Sequence, residues 1–73
     1  MYTSSLTIDK DIDALEKLLN VEDKDLGRSS FSYTKKDNKL FIEMNADDAI
    51  ALKIVMNTIA KVLIVWEKSR IIK

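Results

Sequence analysis

Three aspartates at alternate positions, Asp9, Asp11 and Asp13, are the first side chains in this chain that could do chemistry. Carboxylates so spaced can open a calcium-binding loop, but that loop also needs a glycine at its sharp bend and a bidentate glutamate at its end. Neither follows at the required place, and acids at the start of a helix have a simpler role against the helix dipole. The same reading covers the carboxylate pair Asp47 and Asp48. Ser29 and Ser30 have no histidine to take up a hydroxyl proton and no lysine in a matching motif, so neither reads as a nucleophile. One glycine cannot build a phosphate-cradling loop. Lys35, Lys36 and Lys39 cluster where two strands should turn, with Arg28 at the far end of the first of them. Phe31 and Tyr33 lie between, an arrangement a single-strand binder uses for stacking. Alternation sends those aromatics toward a core, and lysines at a turn ordinarily form a solvated edge.

Composition narrows the chemistry further. The chain has 73 residues, with no Cys, His or Pro, so disulfides, thiolate–zinc sites and histidine catalysis are excluded. No metal, cofactor or catalytic residue is expected, and the chain reads as a non-enzyme. Its 47% apolar and 33% charged residues mark a folded domain. Residues 1–25 hold seven acids and three lysines, a net of −4, while residues 26–73 hold nine basic and five acidic side chains, a net of +4. Such a dipolar chain lacks the basic excess of an autonomous nucleic-acid binder. The apolar stretch from Ala49 to Trp66 is interrupted by Lys53 and Lys61, which argues against a membrane span. A single soluble, cytoplasmic domain over residues 1–73 is the expectation. A domain this small buries only about 60% of its unfolded surface and commonly needs a staple or a partner. Of these remedies, oligomerisation is the one its composition leaves open.

The elements that must position these residues follow from periodicity. Tyr2 to Ile8 reads as a short strand. Thr7 or Asp9 would cap a helix whose apolar stripe is Ile12, Leu15, Leu18 and Leu19, running through Asn20. Val21 to Gly27 is an acidic loop. Ser29 to Lys35 and Leu40 to Met44 alternate, and Lys36-Asp37-Asn38-Lys39 between them is a hairpin turn, since Asp and Asn tolerate positive φ. Asn45 or Asp47 would cap a second helix from Ala46 to about Arg70. The fold class is therefore α+β, strand–helix–strand–strand–helix, with a three-stranded antiparallel sheet and two helices on one face.

The second helix carries the functional argument. Ala49, Leu52, Met56, Ile59, Leu63 and Trp66 mark one seam, and Ile50, Ile54, Val55, Val62 and Val65 spread apolar surface well beyond it. A helix packed on one sheet needs an apolar face of little more than about 100°. No other layer exists in this chain to bury the rest, so a partner surface is expected. The candidate interface residues are Leu15, Leu18, Leu52, Met56, Ile59, Leu63 and Trp66.

Arg28-Ser29 before the second strand, Ala46-Asp47-Asp48 opening the last helix, Ala51-Leu52 and Asn57-Thr58 stand in an order and spacing that resembles a known family. It is that of the small Pcc-type subunit of the archaeal KEOPS/EKC complex, and the similarity runs from about Tyr2 to Glu67. The resemblance implies a non-catalytic subunit of the machinery that makes threonylcarbamoyladenosine next to the tRNA anticodon. Such a subunit dimerises, packs its helices on the Kae/TsaD-type catalytic subunit of ASKHA fold, and joins two copies of the assembly. Arg28, Lys35, Lys36 and Lys39 would then be candidate tRNA contacts, with tRNA held mainly through the rest of the complex. Two departures, Lys61 where the family has arginine and a polar first strand, also fit a diverged paralogue that forms a heterodimer as a fifth subunit. A free-standing RNA-binding module is the competing class.

Overall fold

A computed structural model describes residues 1–71, with side chains through Ser69. The order is β1 (Tyr2–Ile8), α1 (Ile12–Asn20), β2 (Ser29–Lys36), β3 (Lys39–Ala46) and α2 (Ala49–Ile71). The three strands form one antiparallel sheet in the order β1-β3-β2. This is the α+β arrangement the periodicity predicts.

Alternation along β3 decides where the core lies. Leu40, Ile42, Met44 and Ala46 are buried, while Lys39, Phe41 and Glu43 face out. Directly opposed residues share a face, so register fixes the rest of that layer. Ile8, Leu6, Ser4 and Tyr2 of β1 join it on one side, and Lys35, Tyr33, Phe31 and Ser29 of β2 on the other. Both helices cover this face, closing a core of Ile12, Leu15, Leu19, Phe31, Leu40, Ile42, Met44, Val55, Ile59, Val62 and Trp66. The other face is bare and polar, rich in Ser and Thr, with Phe41 half-exposed at its centre.

The β2–β3 turn consists of Asp37 and Asn38 alone, at φ 55° and 62°. Positive φ at both central residues matches the right-handed twist of the flanking strands. Gly27 is a further residue at positive φ, 92°, where its N–H donates to Asp25 Oδ1 at 3.0 Å. A side chain there would be strained even though the space is open.

Both helix starts differ from expectation. α1 is capped by neither Thr7 nor Asp9 but by Asp11, in left-handed conformation and with no side-chain cap bond. The Asp11 carbonyl instead accepts from the Leu15 N–H at 3.3 Å and from the Trp66 indole N–H at 3.2 Å. α2 begins three residues later than Ala46 because the sheet still holds that segment. Ala46 pairs with both Tyr2 and Ser29, and the Asp47 N–H donates to the Arg28 carbonyl at 2.9 Å. Asp48 is the cap, its Oδ1 accepting from the Ala51 N–H at 2.8 Å.

Candidate functional site

α2 is apolar around most of its girth, and the fold uses only one part of it. Ala51, Val55, Ile59, Val62 and Trp66 point into the core. They recur every three or four residues, as one face of a helix must. On the remaining surface Ile50, Ile54, Met56, Ile64 and Val65 are 46 to 67% exposed. By length and composition alone, Ala49–Ser69 would also suffice to cross a membrane; here one of its faces is part of the domain core.

The seven candidate interface residues therefore separate. Leu15, Ile59 and Trp66 lie in the chain's own core, at 0, 1 and 7% exposure, and Ile59 and Trp66 reach outward only as walls of the grooves beside α2. Leu18, Leu52 and Leu63 are half-buried at its margin, and only Met56 stands well exposed. The seam itself is rotated from the sequence reading. Val55 and Val62 lie inside it, while Ala49 and Met56 lie outside. With apolar residues on nearly every side, a seam can be drawn at several rotations. What selects one is fit: the small Ala51 is fully buried on the inner face, and Trp66 reaches the Asp11 carbonyl.

Two grooves border α2. One lies between it and α1, lined by Ala14, Lys17, Leu18, Val21, Val65 and Trp66. The other, of about 190 Å³, lies between α2 and β1, where Ser4 and Leu6 face Met56, Ala60 and Leu63 across Met44. The sequence reading missed the β1 side of this groove, because Leu6 is a lone leucine in a Ser/Thr-rich strand. Its signal was the parity it shares with Ile8.

The basic residues do not converge. Arg28 sits at the start of β2 in an ion pair with Asp48 at 2.5 Å, about 25 Å of strand from Lys36. Lys35 turns to the helix side and pairs with Asp13. That hydrogen bond, then the charge itself, holds the Asp13 carboxyl below its ordinary range and the Lys35 ammonium above its own. Lys36 and Lys39 are opposed on the bare face. Phe31 is buried, and Tyr33 is half-buried with its hydroxyl donating to Asn20 Oδ1 at 3.3 Å and Lys24 Nζ 5.5 Å from its ring centre. Neither is a stacking platform. Phe41 is the aromatic that shares a face with Lys36 and Lys39. Among the described residues, no group of three or more acidic, His or Cys side chains is placed to hold a metal ion.

No family model matches this chain, and neither a curated protein nor a solved structure matches it.

Proposed function

We propose that this chain is a non-catalytic dimerisation and scaffold subunit of the tRNA threonylcarbamoyladenosine machinery. The observation that carries the reading is the outward surface of α2, where five large apolar side chains stand exposed on a helix already anchored by its opposite face. Exposed apolar surface on this scale is a feature of protein contact sites. The family resemblance supplies the identity of the partner. The α2 surface, with the adjoining α1 groove, is the part of the chain offered to the catalytic subunit. The basic residues, dispersed and partly neutralised by Asp13 and Asp48, have at most an accessory role toward tRNA.

The test is co-purification of the tagged chain from native lysate, with mass measurement of what it retains. The ASKHA-type catalytic subunit is the expected partner, and Ile54→Asp with Ile64→Asp should release it while the circular dichroism of the isolated chain stays unchanged. Removing the chain from its host should lower the threonylcarbamoyladenosine content of tRNA, read by nucleoside mass spectrometry. Unchanged tRNA and no catalytic subunit in the eluate would sink the proposal. Salt-sensitive binding of tRNA by the isolated chain would favour the free-standing RNA module instead.

A further inference from the structure

The face of the sheet turned away from the helices is exposed and mostly hydroxyl-bearing. Two features break that pattern. Lys36 and Lys39 are directly opposed where the hairpin closes. Like charges so placed repel across the ladder. Among the described residues neither lysine has an ion-pair partner, although Asp37 lies in the turn between them. One step along β3 on the same face, Phe41 is 40% exposed, with Thr34 opposite it on one side and Thr7 on the other. Both threonines are too short to roof a phenyl ring. The face therefore displays an aromatic ring that the core does not use, beside two ammonium groups without a counter-charge.

We propose that this face binds a nucleotide, its phosphate between Lys36 and Lys39 and its base stacked on Phe41. This goes beyond the scaffold role and does not depend on it, because both helices cover the opposite side of the sheet. A free monophosphate and an unpaired residue of an RNA strand present the same phosphate and the same base.

The charges select this ligand. An anion seated between two opposed ammonium groups turns their repulsion into a pair of charge-assisted hydrogen bonds. Successive same-face positions of a strand lie about 7 Å apart, so a ring joined to that anion reaches Phe41 when it lies along β3. Base and phenyl ring then stack offset, which every base can do because every base has a π-face. Glu43 stands one step farther along the same face. Its carboxylate repels phosphate and so sets the direction, phosphate at the turn and base toward the middle of the sheet. A carboxylate can only accept, so Glu43 takes a hydrogen bond from a base that bears an amino group. Cytosine and adenine offer one, whereas uracil presents a carbonyl oxygen in that place. An acidic peptide would also answer the lysines, but it makes no use of the ring and is repelled by Glu43.

The test is a titration of the isotope-labelled intact chain with cytidine monophosphate, followed by amide NMR. Resonances of Lys36, Lys39, Phe41, Thr7 and Thr34 should shift together at millimolar nucleotide, while those of α2 stay in place. Cytidine, which lacks the phosphate, should bind about tenfold more weakly, and Lys36→Gln with Lys39→Gln should erase that difference. The double variant also removes a cross-strand repulsion, so its loss of binding does not come from unfolding. Phe41→Leu, which keeps an apolar side chain on the strand, should weaken binding roughly fivefold or more. Uridine monophosphate should bind less tightly than cytidine monophosphate, and Glu43→Ala should bring the two together. An unstructured oligocytidine that binds more tightly than its number of residues explains identifies an RNA strand as the source; equal affinity per residue identifies the free nucleotide. No shift on this face at millimolar nucleotide overturns the proposal. So does cytidine binding as tightly as its phosphate, or a Phe41→Leu variant that binds unchanged. Bound nucleotide with no catalytic subunit in the native eluate would refute the proposed function and leave this site standing.

Discussion

Ile59 and Ile64 lie five residues apart on one helix, and truncating each to alanine should separate what the fold uses from what it displays. Ile59 is 1% exposed in the middle of the core. Ile→Ala at such a site loses both the transfer energy of the removed carbons and the contacts around the cavity left behind, about 2–5 kcal/mol. Ile64 is 52% exposed. Full burial of such a side chain is worth about 1.5–3 kcal/mol, so half of it holds about 1 kcal/mol. Alanine's better helix propensity returns a few tenths. A 73-residue domain has roughly 4–11 kcal/mol to lose, at about 0.05–0.15 kcal/mol per residue. Ile59→Ala therefore removes a large share of the stability and Ile64→Ala very little. Urea unfolding followed by Trp66 fluorescence reads the difference. With a slope of about 1 kcal/mol per molar, the midpoint should fall by molar amounts for Ile59→Ala and by less than about 1 M for Ile64→Ala. Protomer concentration must be held constant, because any association would add its own stabilisation. Equal losses at the two sites would refute the assignment of core and display faces.

Asp48→Ala should cost about 1–2 kcal/mol, seen as a lower thermal midpoint, because it removes the α2 cap as well as the Arg28 partner. Arg28→Ala removes only an exposed ion pair and should cost no more than about half that. Asn38→Gly should raise the midpoint by a few degrees, since Asn38 already sits at φ 62° in a turn whose preferred second residue is glycine. Lys35→Ala should return the Asp13 carboxyl to its ordinary value, an upward move that carbon-detected NMR titration can follow. In the wild type the Asp13 contribution is complete above the ordinary carboxylate range, about pH 5, and is lost as pH falls through its lowered folded value. The Lys35 contribution is complete below about pH 10 and is lost as pH rises through its elevated folded value. With no histidine in the chain, the thermal midpoint should stay flat between those limits.

Local structure is legible in the sequence wherever periodicity is clean. Tyr2–Ile8, the α1 stripe ending at Asn20 and the two-residue Asp37–Asn38 turn all stand where alternation and positive-φ tolerance put them. The start of α2 is ambiguous in the sequence because Asn45, Asp47 and Asp48 are all good caps, and only sheet pairing at Ala46 chooses among them. Asp11 gives no side-chain signal as a cap because its role is backbone: a left-handed residue whose carbonyl accepts from Trp66, 55 residues away. The rotation of α2 was illegible for a different reason. Amphipathic reading needs a polar side to subtract, and this helix has almost none. Leu6 could not be placed at a groove until the sheet order was known.

The central position of β3 has a consequence for how the chain assembles in time. β2 and β3 meet across two residues, but β1 reaches β3 only after the 30 intervening residues have been ordered, and closing that longer loop costs more entropy. β1 is thus the last strand to dock, and among the described residues no loop covers its outer side as residues 24 and 25 cover the start of β2, so its amides should exchange with solvent soonest within the sheet. A chain under mild denaturing stress would therefore unzip its N-terminus before its core opened.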